Sequence, residues 1–288
     1  MKQLNFLSLI ALILFAGFSL SSCDPKTPDD PNAGKTDPST IAASSLVAYF
    51  PFDADGVDKI SSLTPAEKIG VTYVKGRRNN CYQGAENAYL LYNLGTSKLA
   101  TMTNGFTVSA WVKNPKVFGD PVPMIFQIGK TSDRFWGNLT WMQERAGNAV
   151  DGANIDSLYY KFNFQAGNDS RWAADNSWKK FTADTWQYLT LSYNGSTSQF
   201  SVYVNGILYA ERSKIFKNNE TNILAGNLTF KEADKMVVGG WLTKVIDNAT
   251  DVWMGWYKGN MDELRIYNAG LSASEAKALY DAEVTQIN

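Results

Sequence analysis

Histidine is missing from all 288 residues. Its absence removes the commonest general base and the commonest metal ligand together. It also excludes any Ser-His-Asp or Cys-His nucleophile, so catalysis would have to run on carboxylates, Tyr, Lys or a metal held by oxygen. Basic clustering is equally lacking. Lys and Arg total 27 against 28 Asp and Glu, the net charge is −1, and no basic run exceeds a pair such as Arg77-Arg78. Such a chain has no field to draw in nucleic acid, and no nucleic-acid partner is expected. What is present is globular: 44% hydrophobic residues, 13% aromatic and 19% charged, too apolar for a disordered chain and too polar for a polytopic membrane protein.

Long apolar runs are confined to the start. Leu4 to Leu20 follows Lys2 and precedes Ser21, Ser22 and Cys23, the layout of a secretory signal peptide. "FSLSSC" resembles the lipobox of bacterial lipoproteins, which implies a signal peptide over 1–22 and a lipidated Cys23. Cys81 is then the sole remaining thiol, so no intramolecular disulfide can form. With no His to activate it, Cys81 reads as a small packed hydrophobe. Residues 23–45 hold Pro25, Pro28, Pro31 and Pro38 among Asp, Thr and Ser, a composition expected to stay extended as a tether. Asp24, Asp29 and Asp30 resemble the export signal of some surface-exposed Gram-negative lipoproteins. The implied location is the outer membrane, exposed at the cell surface, with membrane contact through the lipid anchor only.

From 46 to 288 the texture is β. Runs such as "LVAYFPF" (46–52), "FTVSAWVK" (106–113), "PMIFQIG" (123–129), "LYYKFNF" (158–164), "WQYLTLSY" (186–193), "QFSVYVN" (199–205) and "DELRIYN" (262–268) alternate with Gly, Asn and Asp. They read as strands. Asn194-Gly195 and Asn205-Gly206 are hairpin signals, because both central residues of that turn need positive φ. One helix is expected, at the end, where Ser272 and Glu275 form a capping box ahead of Ala276, Leu279 and Tyr280. The fold class is therefore all-β, a sandwich or jelly roll with a short C-terminal helix.

Four stretches in order carry a family resemblance: "LVAYFPFDADGVDKIS", "FTVSAWVK", "WQYLTLSYNGSTSQFSVYVNGILYAE" and "GNMDELRIYNAGLSASEAKALY". Together they resemble the laminin-G-like, concanavalin A-like lectin/glucanase domains, two-sheet jelly-roll sandwiches. The resemblance spans residues 46 to 280 and implies carbohydrate binding or surface adhesion. Fold alone does not fix which.

Saccharide recognition of this kind uses aromatic faces flanked by polar groups, and the chain has nine Trp. Trp111 and Trp186 fall in the resembling strands and read as structural. The candidates for a poly- or oligosaccharide are Trp136, Arg171, Trp172, Asn176, Trp178, Trp241 and Trp256; the bland reading of each indole is a lid over the core. A second candidate is a structural calcium. Asp53, Asp55 and Asp58 cluster around Gly56, a turn rich in the oxygen ligands a hard cation takes. The resemblance implies Asp53, Asp58 and Asp262 as the set, against an Asp-rich turn capping its own backbone.

Asp262 and Glu263 decide between binder and enzyme. On a regular strand adjacent side chains point to opposite faces, so the two cannot serve one cleft unless a bulge intervenes. Asp262 is expected beside Leu264 and Ile266, and Glu263 beside Arg265 and Tyr267. No strand carries the acid-x-acid-x-acid spacing of the laminarinase-type glucanases. The expectation is a non-catalytic, surface-anchored carbohydrate-binding lipoprotein serving polysaccharide capture. A glycoside hydrolase or lyase and a protein-binding adhesin are the alternatives. Asp262, a carboxylate on an apolar face, needs either Ca²⁺ or backbone N–H groups.

Overall fold

The computed structural model describes residues 34–116, 121–144, 157–167, 169–173, 181–209, 213–218 and 222–287. Its strands, numbered along the chain, form two sheets. The first contains β1 (Leu46–Phe50), β3 (Thr72–Lys75), β4 (Asn80–Gln83), β6 (Gly105–Lys113), β12 (Gln187–Asn194), β13 (Gln199–Val204), β14 (Ile207–Leu208), β15 (Lys214–Ile215) and β18 (Asn260–Tyr267). The second contains β2 (Glu67–Ile69), β5 (Tyr89–Asn93), β7 (Val122–Ile128), β8 (Leu139–Glu144), β9 (Ser157–Ala166), β10 (Asp169–Trp172), β11 (Phe181–Thr182), β16 (Lys235–Val238) and β17 (Met254–Trp256). All pairings are antiparallel except β17 on β7.

The sheets face each other across a core of alternating inward residues. Val108, Ala110 and Val112 of β6 and Leu189 and Leu191 of β12 meet Phe126 and Ile128 of β7 and Tyr160, Phe162 and Phe164 of β9. Aromatic edges interlock there; Phe106 meets Phe164 at 5.3 Å between centroids, tilted 68°, the edge-to-face arrangement that rings prefer.

The outer face of the first sheet is covered as well. Helix α2 (Ala273–Thr285) lies on it, started by the reciprocal Ser272–Glu275 capping box that the sequence predicts. Leu279 of α2 packs with Trp111, Tyr188 and Tyr267. This explains why β6 is buried at every position but its last.

Asn205-Gly206 makes the expected tight turn, with φ of +50° and +74°. Asn194-Gly195 does not. Residues 195–198 form a longer loop in which the Asn194 carboxamide accepts from the Ser196 and Thr197 amides at 3.0 and 3.4 Å, and Ser198 takes the left-handed φ of +55°. A side chain that binds its own downstream backbone competes with the two-residue turn.

Two further differences matter. The folded body begins before residue 46: Pro38–Thr40 and Ala43–Ser45 form 3₁₀ turns. Ile41 packs into the Trp111 cluster, and Gln286 Nε2 donates to Thr36 O at 3.2 Å. The expected tether is thus packed along its last part. A second helix, α1 (Leu242–Ile246), lies on the outer face of the second sheet, its Leu242 packed on Leu91 and Val237.

Candidate functional site

The Asp262–Glu263 step contains the bulge. Asp262 lies opposite Trp111 of β6, whereas Arg265 lies opposite Ser109, one residue out of register. Glu263 takes φ of +56°, as the extra residue of a bulge often does. Leu264 and Ile266 stay in the core. Asp262 and Arg265, opposite residues two apart on β6, share the outer face beneath α2 instead. The expected pairing of Asp262 with the aliphatic face is therefore corrected: one inserted residue reverses the parity.

Both carboxylates consequently sit in one polar cluster. Glu263 Oε2 accepts from Tyr49 Oη at 2.7 Å and Arg265 Nη2 at 3.0 Å. Arg265 Nη1 donates to Glu283 Oε1 of α2, and Trp111 Nε1 donates to Glu283 Oε2 at 3.3 Å. Asp262 Oδ2 accepts the Arg77 and Arg78 amides at 2.7 and 3.0 Å. Burial pushes the Asp262 carboxyl up to about 8 against the two amides that favour its anion. Burial likewise pushes Glu283 up to about 7, opposed by Arg265. Asp262 and Glu263 are each 0% exposed. The bulge supplies the pair, but no glycan can reach it.

The calcium residues are separated by their hydrogen bonds. Asp58 Oδ1 accepts from the Tyr49 and Ile60 amides at 2.7 and 2.9 Å, and Oδ2 from the Ser61 amide at 3.0 Å and the Ser61 hydroxyl. It caps its own turn with four protein donors and has no lone pair left for a cation. Asp53 accepts from the Asn80 amide at 3.3 Å. No group of three His, Cys, Asp or Glu among the described residues is placed to hold a metal. Of the three, Asp58 is closed by protein donors, whereas Asp262 Oδ1 is buried with no hydrogen-bond partner. Asp262 Oδ2 has the backbone N–H groups that the sequence offered as one of the two answers. Cys81 is a buried free thiol, pushed up to about 12 by burial, and inert.

Three of the Trp candidates, with Trp253, form one aromatic belt on the second sheet. Trp172, 37% exposed, meets Trp136 edge-on at 4.8 Å. Trp136 meets Trp241 at 6.1 Å, and Trp241 meets Trp253 at 5.1 Å. Trp241 is fully buried and gives its Nε1 proton to Val122 O at 2.8 Å, so it supports the belt from inside. Arg171 turns inward, its Nε donating to Ala166 O at 3.3 Å. Cys23, Asn176 and Trp178 lie outside the described residues.

Trp256 stands apart, beside a groove of about 460 Å³ where β7 begins and β8 ends. Tyr89 stacks on its ring at 5.9 Å, and Lys244 Nζ lies over the ring, 5.3 Å from its centroid. Pro121, Pro123, Val252 and Met254 supply further apolar wall, and Glu86, Gln143, Lys116, Lys244 and Lys258 the polar groups. Gln143 is 1% exposed. Its Nε2 donates to Pro115 O at 2.7 Å, which fixes the amide orientation, and its Oε1 has no hydrogen-bond partner. An apolar-walled pocket with a few fixed polar atoms is the usual form of a small-ligand site. Pro115, Gln143, Lys244 and Trp256 come from separate segments, so no local motif could have announced the groove; only Trp256 was legible beforehand.

Across residues 86–277 the chain matches the family model of the concanavalin A-like lectin/glucanases superfamily. The chain belongs to that superfamily. A search of curated proteins finds no match. Among solved structures, it is similar to domain 4 of AbnA, an extracellular arabinanase from Geobacillus stearothermophilus, in complex with arabinotriose. Identity there is 17% and the TM-score 0.52, over 82% of this chain and 98% of that one. It is also similar to the receptor binding domain of botulinum neurotoxin C/D mosaic serotype, at 13% identity and TM-score 0.57, over 82% of this chain and 51% of that one. The botulinum neurotoxin serotype D ligand binding domain in complex with N-acetylneuraminic acid matches at 13% identity and TM-score 0.55, over 84% and 52%. The chain spans about half the length of those toxin domains. At such identities these superfamily likenesses concern the fold.

Proposed function

We propose that this protein is a non-catalytic carbohydrate-binding member of its superfamily and that the groove beside Trp256 holds the saccharide. The observation that carries the reading is Gln143 Oε1, a buried acceptor with no protein partner in a groove walled by Pro, Met and Trp. A buried polar atom left unpaired costs about 1–3 kcal/mol. A sugar hydroxyl supplies the missing donor, and the ring's apolar face suits the Pro and Trp walls. Solved relatives bound to arabinotriose and to N-acetylneuraminic acid are in keeping with a saccharide partner. The sealed Asp262–Glu263 pair argues against the hydrolase alternative.

Affinity electrophoresis against a panel of polysaccharides tests this. Retardation by at least one glycan, lost in Gln143→Ala and in Trp256→Ala with the fold intact by circular dichroism, is expected. Release of new reducing ends from the same panel would favour the enzyme. Retardation by no glycan would sink the reading.

The lipobox and acidic segment further support a surface lipoprotein that captures polysaccharide. Palmitate incorporation that disappears in Cys23→Ser, with protease accessibility on intact cells, checks that part.

A further inference from the structure

Helix α2 buries one charged side chain of its own, Glu283, beside Ala276, Leu279 and Ala282. Beneath it, β18 brings Asp262, Glu263 and Arg265, all fully buried. Three buried carboxylates therefore meet one buried guanidinium. Glu263 Oε2 already answers the Arg265 charge, at 3.0 Å from Nη2. Glu283 takes Nη1 of the same guanidinium. Two carboxylates on one cation repel each other, and no water is present between them to screen the repulsion.

The other groups around Glu283 do not restore the balance. Arg78 of the β3–β4 loop meets Glu263 at 3.5 Å from a partly exposed position. The Arg77 guanidinium lies over the Trp111 ring, 4.7 Å from its centroid. Asp262 Oδ2 faces the amides of that loop. Trp111 of β6 offers Glu283 a neutral donor at 3.3 Å, and Tyr49 of β1 donates to Glu263. Burial raises the phenols of Tyr188 on β12 and Tyr267 on β18, which keeps both neutral. On α2 itself, Glu275 is engaged in the capping box, Lys277 pairs with Asp281 on the exposed side, and Tyr280 rests against Trp111. The 38–40 turn and β14 also touch the helix and hold no titratable side chain; Asp37 caps that turn through the Ser39 amide.

We propose that α2 is a proton-gated latch: with Glu283 protonated it lies closed on the first sheet, and as Glu283 ionises its C-terminal turns lift toward water. A proton on Glu283 removes the surplus charge and leaves an oxygen to accept from Arg265 or Trp111. Burial, opposed by Arg265, holds the closed carboxyl at about 7 against an ordinary 4.5. Lifted into water, the group returns to its ordinary range. Between those values the closed helix holds a proton that the open one releases, so closure weakens as pH rises through the window. The start of the folded body moves with the helix, because Gln286 holds Thr36 O at 3.2 Å and Ile41 packs in the Leu279 cluster. The core between the sheets lies on the other side of β6 and takes no part.

Hydrogen exchange of the full-length protein, read by mass spectrometry from pH 5 to pH 8 with intrinsic exchange rates divided out, tests the latch. Exchange of Ala273–Thr285 should rise by about 50-fold over that range. Residues 36–41 should follow it, while β6 and β12 stay protected. Glu283→Gln should flatten the profile. If circular dichroism shows that variant unfolded, Glu283→Leu, which leaves Arg265 with Glu263 alone, takes its place. Asp262→Asn should keep most of the rise, because Asp262 is held by the loop amides rather than by α2. A flat profile in the unaltered protein would overturn the latch. So would a rise shared equally by β6, which marks unfolding of the whole body. A rise that persists in the Glu283 variant, or disappears in Asp262→Asn, would place the proton elsewhere and overturn the role of Glu283.

Discussion

Arg77 gives its backbone N–H to Asp262 Oδ2 at 2.7 Å, across 185 positions of sequence. The bond ties the loop between β3 and β4 to the closing strand at its bulge. The loop is tight: a side chain at Gly76 would place its Cβ 2.5 Å from the same Asp262 oxygen. The carboxyl is thus held by backbone groups in a site that water does not reach.

Asp262→Asn should make stability less dependent on pH. The folded carboxyl titrates at about 8 rather than near its ordinary 3.8, so between those values the folded chain holds a proton that the unfolded chain has released. Stability then falls as pH rises through that window. Asn carries the neutral form throughout, and its carbonyl can accept the same two amides. Glu283 titrates in both proteins, and because its charge also raises Asp262, the variant loses that mutual repulsion along with the Asp262 titration. Urea unfolding should show the two about equal near pH 4 and the variant ahead by about 1–2 kcal/mol near pH 8. A difference that does not vary with pH would refute the burial argument.

Arg265→Leu should be far more damaging. Arg265 is buried between Glu263 and Glu283, and removing it leaves two carboxylates without their cation. Breaking a buried pair in this way costs about 3–5 kcal/mol. Glu283→Gln keeps a hydrogen-bonding group and should cost about 1–2 kcal/mol. Urea midpoints with unchanged slopes would register both; a small loss for Arg265→Leu would mean that solvent reaches the cluster.

Gly206→Ala joins two penalties. The residue sits at φ +74°, and an added Cβ would lie 3.0 Å from the Tyr280 ring of α2. Left-handed strain for a residue with a Cβ is about 1 kcal/mol, and the ring must also shift. A fall of several degrees in Tm is expected, partly recovered by Tyr280→Ala. If Tyr280→Ala brings no recovery, the close approach is not what limits the site.

Chelation should leave Tm unchanged. Asp58 has its oxygens filled by protein donors, and the three acids are spread over separate hydrogen-bond networks. A drop of several degrees with EDTA, restored by Ca²⁺ and absent in Asp262→Asn, would return a cation to Asp262 Oδ1.

Strand positions were legible because the core-facing aliphatics of "FTVSAWVK" and "WQYLTLSY" alternate with residues that face α2 on the other side. The C-terminal helix was legible because Ser272 and Glu275 are local neighbours. The bulge was not. It is marked by Glu263 at positive φ, a conformation that nothing in "MDELRIY" announces and that the Gly76–Arg78 loop fixes from far away in sequence. Helix α1 is five residues long, too short to show a helical period. The aromatic candidates illustrate a third limit: composition gathers Trp but does not say which face it presents. Trp241 supports, Trp172 stays partly exposed, and Trp256 lines the groove.

The contact between Thr36 and Gln286 has a practical consequence for handling the molecule. Both ends of the folded body meet beside α2, which rests on the first sheet, whereas the groove is framed by β7, β8 and β17 of the second. Immobilising the folded body through the C-terminal end of α2 therefore presents the opposite sheet to the ligand. A biosensor chip or an affinity bead loaded by a C-terminal tag would leave the groove on the side away from the attachment.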